Sequence, residues 1–382
     1  MSSTYPLNIT IIGAGIGGLA AAIFLSQSGH KVTVLEANAV LSEIGAGIQV
    51  TANAMRIFDR HGLRDIFYKE GTKNEGAAIR RWENGKVLGK HRGMPRELYG
   101  YFNLTLHRAD YQRILYNAAT KAGATIEFGK RVVTIDFDAP SVTLENGLHV
   151  PSDLIIAADA YTIRGTSLYN LVFCGPDNNS SKIGAWNEHA SLSSLKEEYA
   201  GWEPTIQEIL NRAETVHKWR IGEVPDLPSW RSVNGKVVLL GDAAHAMMPY
   251  TAQGATQSIE DGAVLAGCLK RVRGKEDVNG LMEAYERIRK ERAEKVKQTS
   301  WGNMKHYGLV DGEEQKQRDR MYEKTLRAMT VSESEREKEK AIERPMKDVN
   351  AEYGSPGFSM WLYGYDVEEE LEKYFGGEGL KG

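Results

Sequence analysis

Cysteine is nearly missing from this 382-residue chain, with only Cys174 and Cys268 present. Two such thiols form neither a disulfide framework nor a metal-binding pattern, and they read as inert groups in a reducing compartment. No apolar run is long enough to span a bilayer, and only seven residues precede the first strand-like run, too few for a secretory signal. The cytoplasm is therefore the expected location. Charge of one sign is lacking too: 48 basic residues against 51 acidic ones leave a net charge of −3, which points away from nucleic acid and anionic membranes as partners. There is no internal repeat. What remains, 41% hydrophobic and 26% charged, is the composition of a globular protein long enough for two domains or one large one.

The information is concentrated between Asn8 and Glu36, NITIIGAGIGGLAAAIFLSQSGHKVTVLE. An apolar run enters Gly13-Ala14-Gly15-Ile16-Gly17-Gly18, a small-residue helical stretch follows, and a second strand-like run, Lys31 to Leu35, ends at an acid. This is a βαβ unit with G-x-G-x-x-G spacing on Gly13, Gly15 and Gly18. Gly13 makes the tight turn, Gly15 lets backbone approach a pyrophosphate, and Gly18 lets the helix lie close to the sheet. Glu36, eighteen positions beyond Gly18, is placed to accept hydrogen bonds from a ribose. The motif alone does not choose between NAD and FAD.

Further along, Gly45-Ala46-Gly47 with Ile48 and Gln49 reads as a small-residue loop, either flexible or laid flat against a cofactor. An N-capped helix is expected from about Thr51 or Asn53, and residues 54–70 read as a helix ending in the turn His61-Gly62. Asn84-Gly85 marks a hairpin. Leu104 to Asp110 is a strand running into a helix with Arg108 at the junction, a position that taken alone reads as a surface cation. Three alternating runs lie between Gly123 and Val150, and the apolar run before Ala157-Ala158-Asp159 is a buried central strand. Residues 161–173 suggest a hairpin, 175–201 loop and a short helix, and 204–212 a helix. Lys236 to Leu240 is a buried strand entering Gly241-Asp242-Ala243-Ala244-His245, with a long helix from about Gly254 to Arg271. Residues 281–346 are dense in Glu, Lys and Arg and read as solvated helices, with 335–340 a charged face. Trp361, Tyr363, Tyr365 and Tyr374 are expected to dock the C-terminal segment on the body.

Three separated stretches carry a resemblance: Gly13 to Gly18 with Glu36, Ala157-Ala158-Asp159, and GDAAH with Pro249 and Gln253-Gly254-Ala255. Together they resemble the group A FAD-dependent aromatic monooxygenases, the family of salicylate hydroxylase and para-hydroxybenzoate hydroxylase, in its fungal secondary-metabolism form. The resemblance runs over nearly the whole chain, including HRADYQRIL and WLYGYD. It implies an α/β fold with a Rossmann-like FAD-binding domain, a smaller mixed-sheet substrate domain and C-terminal helices. On that pattern residues 1–160 and 233–275 bind FAD, 161–232 form a shortened substrate domain and 276–382 a helical region. It further implies Glu36 on the adenosine ribose, Arg108 on the flavin nucleotide, Gly47 and Gln49 beside the isoalloxazine and Asp242 on the ribityl chain. Pro249 would lie at the reactive face, and the helix opening at Gly254-Ala255 would aim N–H groups at the flavin N1–C2=O edge. His245 reads as structural rather than as a base. The implied chemistry uses NAD(P)H and O2 to hydroxylate a small aromatic molecule.

One departure stands out. Family members continue from the second motif with DG-x-x-S-x-x-R and several more strands before a Y-P-I-R-G-like stretch, whereas here Asp159-Ala160 runs directly into Tyr161-Thr162-Ile163-Arg164-Gly165. Tyr161 matches the family's substrate-site tyrosine, but the arginine that orients a phenolate there has no counterpart. Several dozen residues are missing, the glycine after the acid is Ala160, and the substrate roof is expected to be incomplete or rebuilt. A shortened gene model, a splice form or a repurposed protein each accounts for the gap. The alternative function is a flavin-binding protein that has lost hydroxylation.

Overall fold

The apolar strand-like runs assemble into one parallel sheet. A computed structural model describes residues 5–41, 47–92, 96–158, 187–189, 191–219, 222–323, 346–351 and 355–378. The sheet has five strands in the order Val237–Leu239, Leu154–Ala157, Asn8–Ile12, Lys31–Leu35, Thr125–Glu127. The first strand is central, with Ile9 opposite both Leu154 and Val32. Ile9, Ile11, Leu154 and Ile156 are all buried, as expected where layers cover both faces of a parallel sheet.

One covering layer is helical. Ile16–Gln27 packs against Gly254–Leu269 and Arg108–Lys121. Its small residues permit this approach: a Cβ on Gly18 would stand 2.1 Å from the Gly13 carbonyl oxygen, and one on Gly262 would stand 3.1 Å from Ala21 backbone. The other layer is a three-stranded antiparallel sheet, Val132–Asp136, Ser141–Leu144 and His149–Pro151, that buries Val142 and Leu144 against Leu35, Ile155 and Val237.

Several expectations need correcting. Gly47–Val50 is a strand rather than a loop, antiparallel to Leu104–His107, because Ile48 and Val50 alternate into register with Leu106 and Leu104. Thr51 occupies the N-cap of helix Ala52–Arg60, yet its hydroxyl is held by Asn53 Oδ1 and Thr256 Oγ1; Asn103 Oδ1 accepts the Ala52 N–H instead. His61-Gly62 divides that helix from Arg64–Glu70. The Gly76–Arg80 and Val87–Arg92 hairpin forms as expected around Gly85. Within 175–201, strand Asn187–His189 pairs with His217–Trp219 and precedes helix Leu192–Glu198. The region from 281 is not simply solvated: the 30-residue helix Val278–Tyr307 buries Arg289, Arg292 and Lys297 along one side. Tyr363 and Tyr365 are buried, so the C-terminal segment is docked. The expected hairpin over 161–173, the Asp159-Ala160 turn, Gly45-Ala46, Cys174 and the 335–340 charged face lie outside the described residues.

Candidate active site

The central strand delivers its glycine turn to the C-terminal edge of the sheet, where open α/β sheets bind ligands. Gly13, with φ 101°, donates its N–H to Leu35 O at 2.9 Å. Helix Ile16–Gln27 then begins with no side-chain cap and no acid in its first turn, so its N–H dipoles face the space ahead unanswered. Glu36 stands beside this turn. Its carboxylate accepts from Ala14 N–H (2.9 Å), Asn38 N–H (2.9 Å) and the Asn38 side-chain amide (2.7 Å). A carboxylate has about four acceptor positions, so one remains for a ligand donor. Gln112 fixes the turn from the other side, donating to Ala14 O at 2.8 Å.

Strand Val237–Leu239 ends at a second turn. Gly241 adopts φ 66°, a left-handed conformation natural to glycine, and opens the short helix Asp242–His245. Asp242 faces Arg108, the first residue of helix Arg108–Lys121. Burial lowers the Arg108 pKa below that of a free guanidinium, and the Asp242 carboxylate opposes that fall. Arg108 is therefore not a surface cation. Neither side chain has a hydrogen-bond partner among the described residues. A cation and an anion in this state, between glycine turns, form a cradle for a polar ligand.

The third piece is the N-terminus of Gly254–Leu269. It too lacks a side-chain cap and a first-turn acid, and a Cβ on Gly254 would meet nothing within 4 Å. Pro249 is exposed and opens the single turn Pro249–Thr251, which ends at Ala252 in a left-handed conformation with φ 52°. Helix Val278–Tyr307 holds this loop: Ser300 Oγ donates to Met248 O, and Asn303 Nδ2 donates to Tyr250 O at 3.1 Å. The pair Thr51 Oγ1 and Thr256 Oγ1, 2.8 Å apart, joins the end of the Gln49 strand to the first turn of the Gly254 helix. Gly13, Gly15, Gly18, Glu36, Arg108, Asp242, Gly254 and Ala255 are thus carried on elements that pack together. Gly47 and Gln49 arrive on a strand, and Tyr161 lies outside the described residues.

Behind these pieces sits a buried polar network that sequence reading missed. Glu260 accepts from Arg289 Nη1 (2.8 Å), Arg292 Nε (2.8 Å) and Asn53 Nδ2 (2.7 Å). Asp261 accepts from Arg289 Nε (2.8 Å), His245 Nε2 (2.6 Å) and the Gly241 N–H (3.0 Å). Burial would raise both carboxyl pKa values, but the arginines outweigh it at Glu260, and His245 with Arg289 brings Asp261 down to about 2. Adjacent acids in an apolar helix, with arginines three apart on a later helix, were the available signal.

Two glycine turns, an acid beside the first, a cation–anion pair and a second uncapped helix thus converge on one end of the sheet. The comparisons carry this further. The FAD binding domain family model matches residues 7–200 and 206–300, and the chain belongs to that family. It is 28% identical to the FAD-dependent monooxygenase OpS4 of Beauveria bassiana (strain ARSEF 2860), over 95% of this chain and 96% of that one. It is 30% identical to a 6-hydroxynicotinate 3-monooxygenase of Pseudomonas fluorescens, over 77% of this chain and 90% of that one. A salicylate hydroxylase substrate complex shares the fold with a TM-score of 0.68, at 20% identity over 96% and 97% of the two chains. The protein is an FAD-dependent monooxygenase, with NAD(P)H as co-substrate. The OpS4 alignment extends over 427 positions, more than the 382 residues here, so the relative carries segments without a counterpart in this chain. Among the described residues no helix is long and apolar enough to cross a membrane.

Proposed function

We propose that this protein hydroxylates a small phenolic or similarly electron-rich aromatic molecule of secondary metabolism, consuming NAD(P)H and O2. The observation that carries the reading is the match to 90% of a relative named 6-hydroxynicotinate 3-monooxygenase, on a chain that matches the FAD binding domain family over residues 7–200 and 206–300. Bound FAD, once reduced by NAD(P)H, supplies the activated oxygen. The chain's own residues bind and orient. Glu36 offers its remaining acceptor position to the adenosine ribose, while Arg108 and Asp242 hold the pyrophosphate and ribityl stretch. Gly47 and Gln49 flank the ring system. The N–H groups at Gly254 and Ala255 would hold the N1–C2=O edge of the ring, and the helix dipole would stabilise negative charge there by up to about 2 kcal/mol. Pro249 would stand at the reacting ring face, and Tyr161 would orient the substrate. Residues 1–160 and 233–275 serve as the FAD-binding segments, 161–232 as a shortened substrate domain, and 276–382 as the helical buttress. The expected location is the cytoplasm.

A second reading rests on the missing segment: a flavoprotein whose substrate half no longer couples reduction to hydroxylation. Among the described residues of 161–232, the strands form a single two-stranded ribbon, 187–189 with 217–219, beside helices Leu192–Glu198 and Pro204–Arg212. Both readings expect a yellow protein that oxidises NAD(P)H in air. Turnover with a panel of phenols and hydroxypyridines separates them. Hydroxylated product in step with NAD(P)H consumption supports the first, whereas hydrogen peroxide alone across the panel replaces it with the second.

A further inference from the structure

The face of the Gly254 helix that begins at the candidate flavin edge continues inward through Ser258 and Asp261, which follow Gly254 by four and seven positions. Both inner residues touch other parts of the site. A Cβ on Gly241 would stand 2.6 Å from Ser258 Oγ, and one on Gly17 would stand 2.9 Å from Ser258 Cβ. Asp261 is fully buried and grips the Gly241 turn directly. Its Oδ2 accepts the Gly241 N–H at 3.0 Å and His245 Nε2–H at 2.6 Å, so both ends of the segment bearing Asp242 hang on one oxygen. Its Oδ1 is fixed from behind by Arg289 Nε at 2.8 Å.

We propose that Asp261 is a positioning residue for the flavin half of the cofactor, acting through the Gly241–His245 turn on Asp242. The inference rests on the assignment of Asp242 to the ribityl stretch made above. A carboxylate is required because three N–H donors converge on it and it presents acceptors only. An asparagine would turn an NH2 group toward one of the three and release either the turn or Arg289. The polarity also fixes His245: Nε2 must carry the proton, and Nδ1 is enclosed without a protein partner. The imidazole is thus a strut between Asp261 and the Asp242 helix, not a base open to substrate. Glu260, the neighbouring acid, shares Arg289 but turns toward Arg292 and Asn53 and does not touch the Gly241 turn.

That difference supplies the control. FAD and ADP are titrated calorimetrically into full-length apoprotein. ADP reports the adenosine half, held by Glu36 and the glycine turn, and FAD reports both halves. Asp261→Asn is expected to weaken FAD at least tenfold while ADP changes less than twofold. Glu260→Gln is expected to lower the melting temperature with the FAD-to-ADP affinity ratio unchanged. If Asp261→Asn does not fold, His245→Phe, which removes one donor and leaves Arg289 paired, is expected to shift the ratio in the same direction by a smaller factor. Equal weakening of both ligands, or none in either variant, would reduce Asp261 to a structural ion and overturn the proposal. Wild-type protein that binds ADP but not FAD would instead overturn the flavin assignment on which it rests.

Discussion

Arg108 illustrates how little one residue shows in isolation. A single arginine at a strand–helix junction reads as a surface cation, yet it is partly buried opposite Asp242 without a hydrogen-bond partner among the described residues. Charge-assisted hydrogen bonds contribute about 1.5–3 kcal/mol, so Arg108→Met should weaken FAD roughly 10- to 100-fold in a fluorescence titration. Secondary-structure content should be unchanged by circular dichroism. His61 carries a different consequence. Its Nδ1–H donates to Gln27 Oε1 at 2.5 Å and its ring lies 4.1 Å from that of Phe24. Burial, with Lys270 and Arg60 nearby, lowers its pKa from 6.5 to about 4. The unfolded chain therefore binds a proton first as pH falls, and stability is lost between about pH 6.5 and pH 4, by up to about 3 kcal/mol. Urea midpoints at pH 7 and pH 4.5 measure this. His61→Phe should flatten the slope; an unchanged slope would place its origin elsewhere.

At the scale of elements, the two uncapped helices make opposite predictions. Gly18→Ala would set a Cβ 2.1 Å from Gly13 O, so the helix must shift and both stability and FAD retention should fall. Gly254→Ala meets no protein atom, and alanine favours a helix by up to about 1 kcal/mol. The apoprotein should melt slightly higher while FAD binds more weakly, because the new methyl enters space assigned to the ring. Thermal melts with and without FAD distinguish the two outcomes. These elements were largely legible from sequence, since glycine spacing, uninterrupted apolar runs and Asn84-Gly85 each express a local backbone requirement. Strand Gly47–Val50 was not. Its glycines suggested a loop, and only its partner, Leu104–His107, more than fifty positions away, makes it a strand. The Asp261 network was equally hidden, because composition marks Arg289 and Arg292 as solvated and cannot reveal the acids they face.

For the molecule as a whole, arginines bolt the C-terminal segment to the rest of the fold. Arg56 donates to Tyr365 O (2.6 Å) and Tyr99 O (2.7 Å), Arg60 pairs with Asp366 through two 2.7 Å bonds, and Arg292 donates to Leu362 O at 2.8 Å beneath the Tyr365 ring. Arg292→Ala would strip Glu260 of one cation inside the protein and release the Leu362 carbonyl. Breaking such a buried pair costs about 3–5 kcal/mol, a loss readable as a lower urea midpoint. Exposed pairs such as Arg212 with Glu208 should matter far less.

The strand order also sets a timetable for synthesis. The central strand at residues 8–12 pairs with 154–157, which pairs in turn with 237–239, and the acid that steadies the second turn is braced by Arg289. A nascent chain with its first 160 residues outside the ribosome holds the glycine turn, Glu36 and Arg108, but neither Asp242 nor Gly254. Such distant pairings form slowly and leave sheet edges uncovered meanwhile. On the roles proposed for Asp242 and Gly254, tight flavin capture belongs to the last stage of translation, once both glycine turns have left the ribosome.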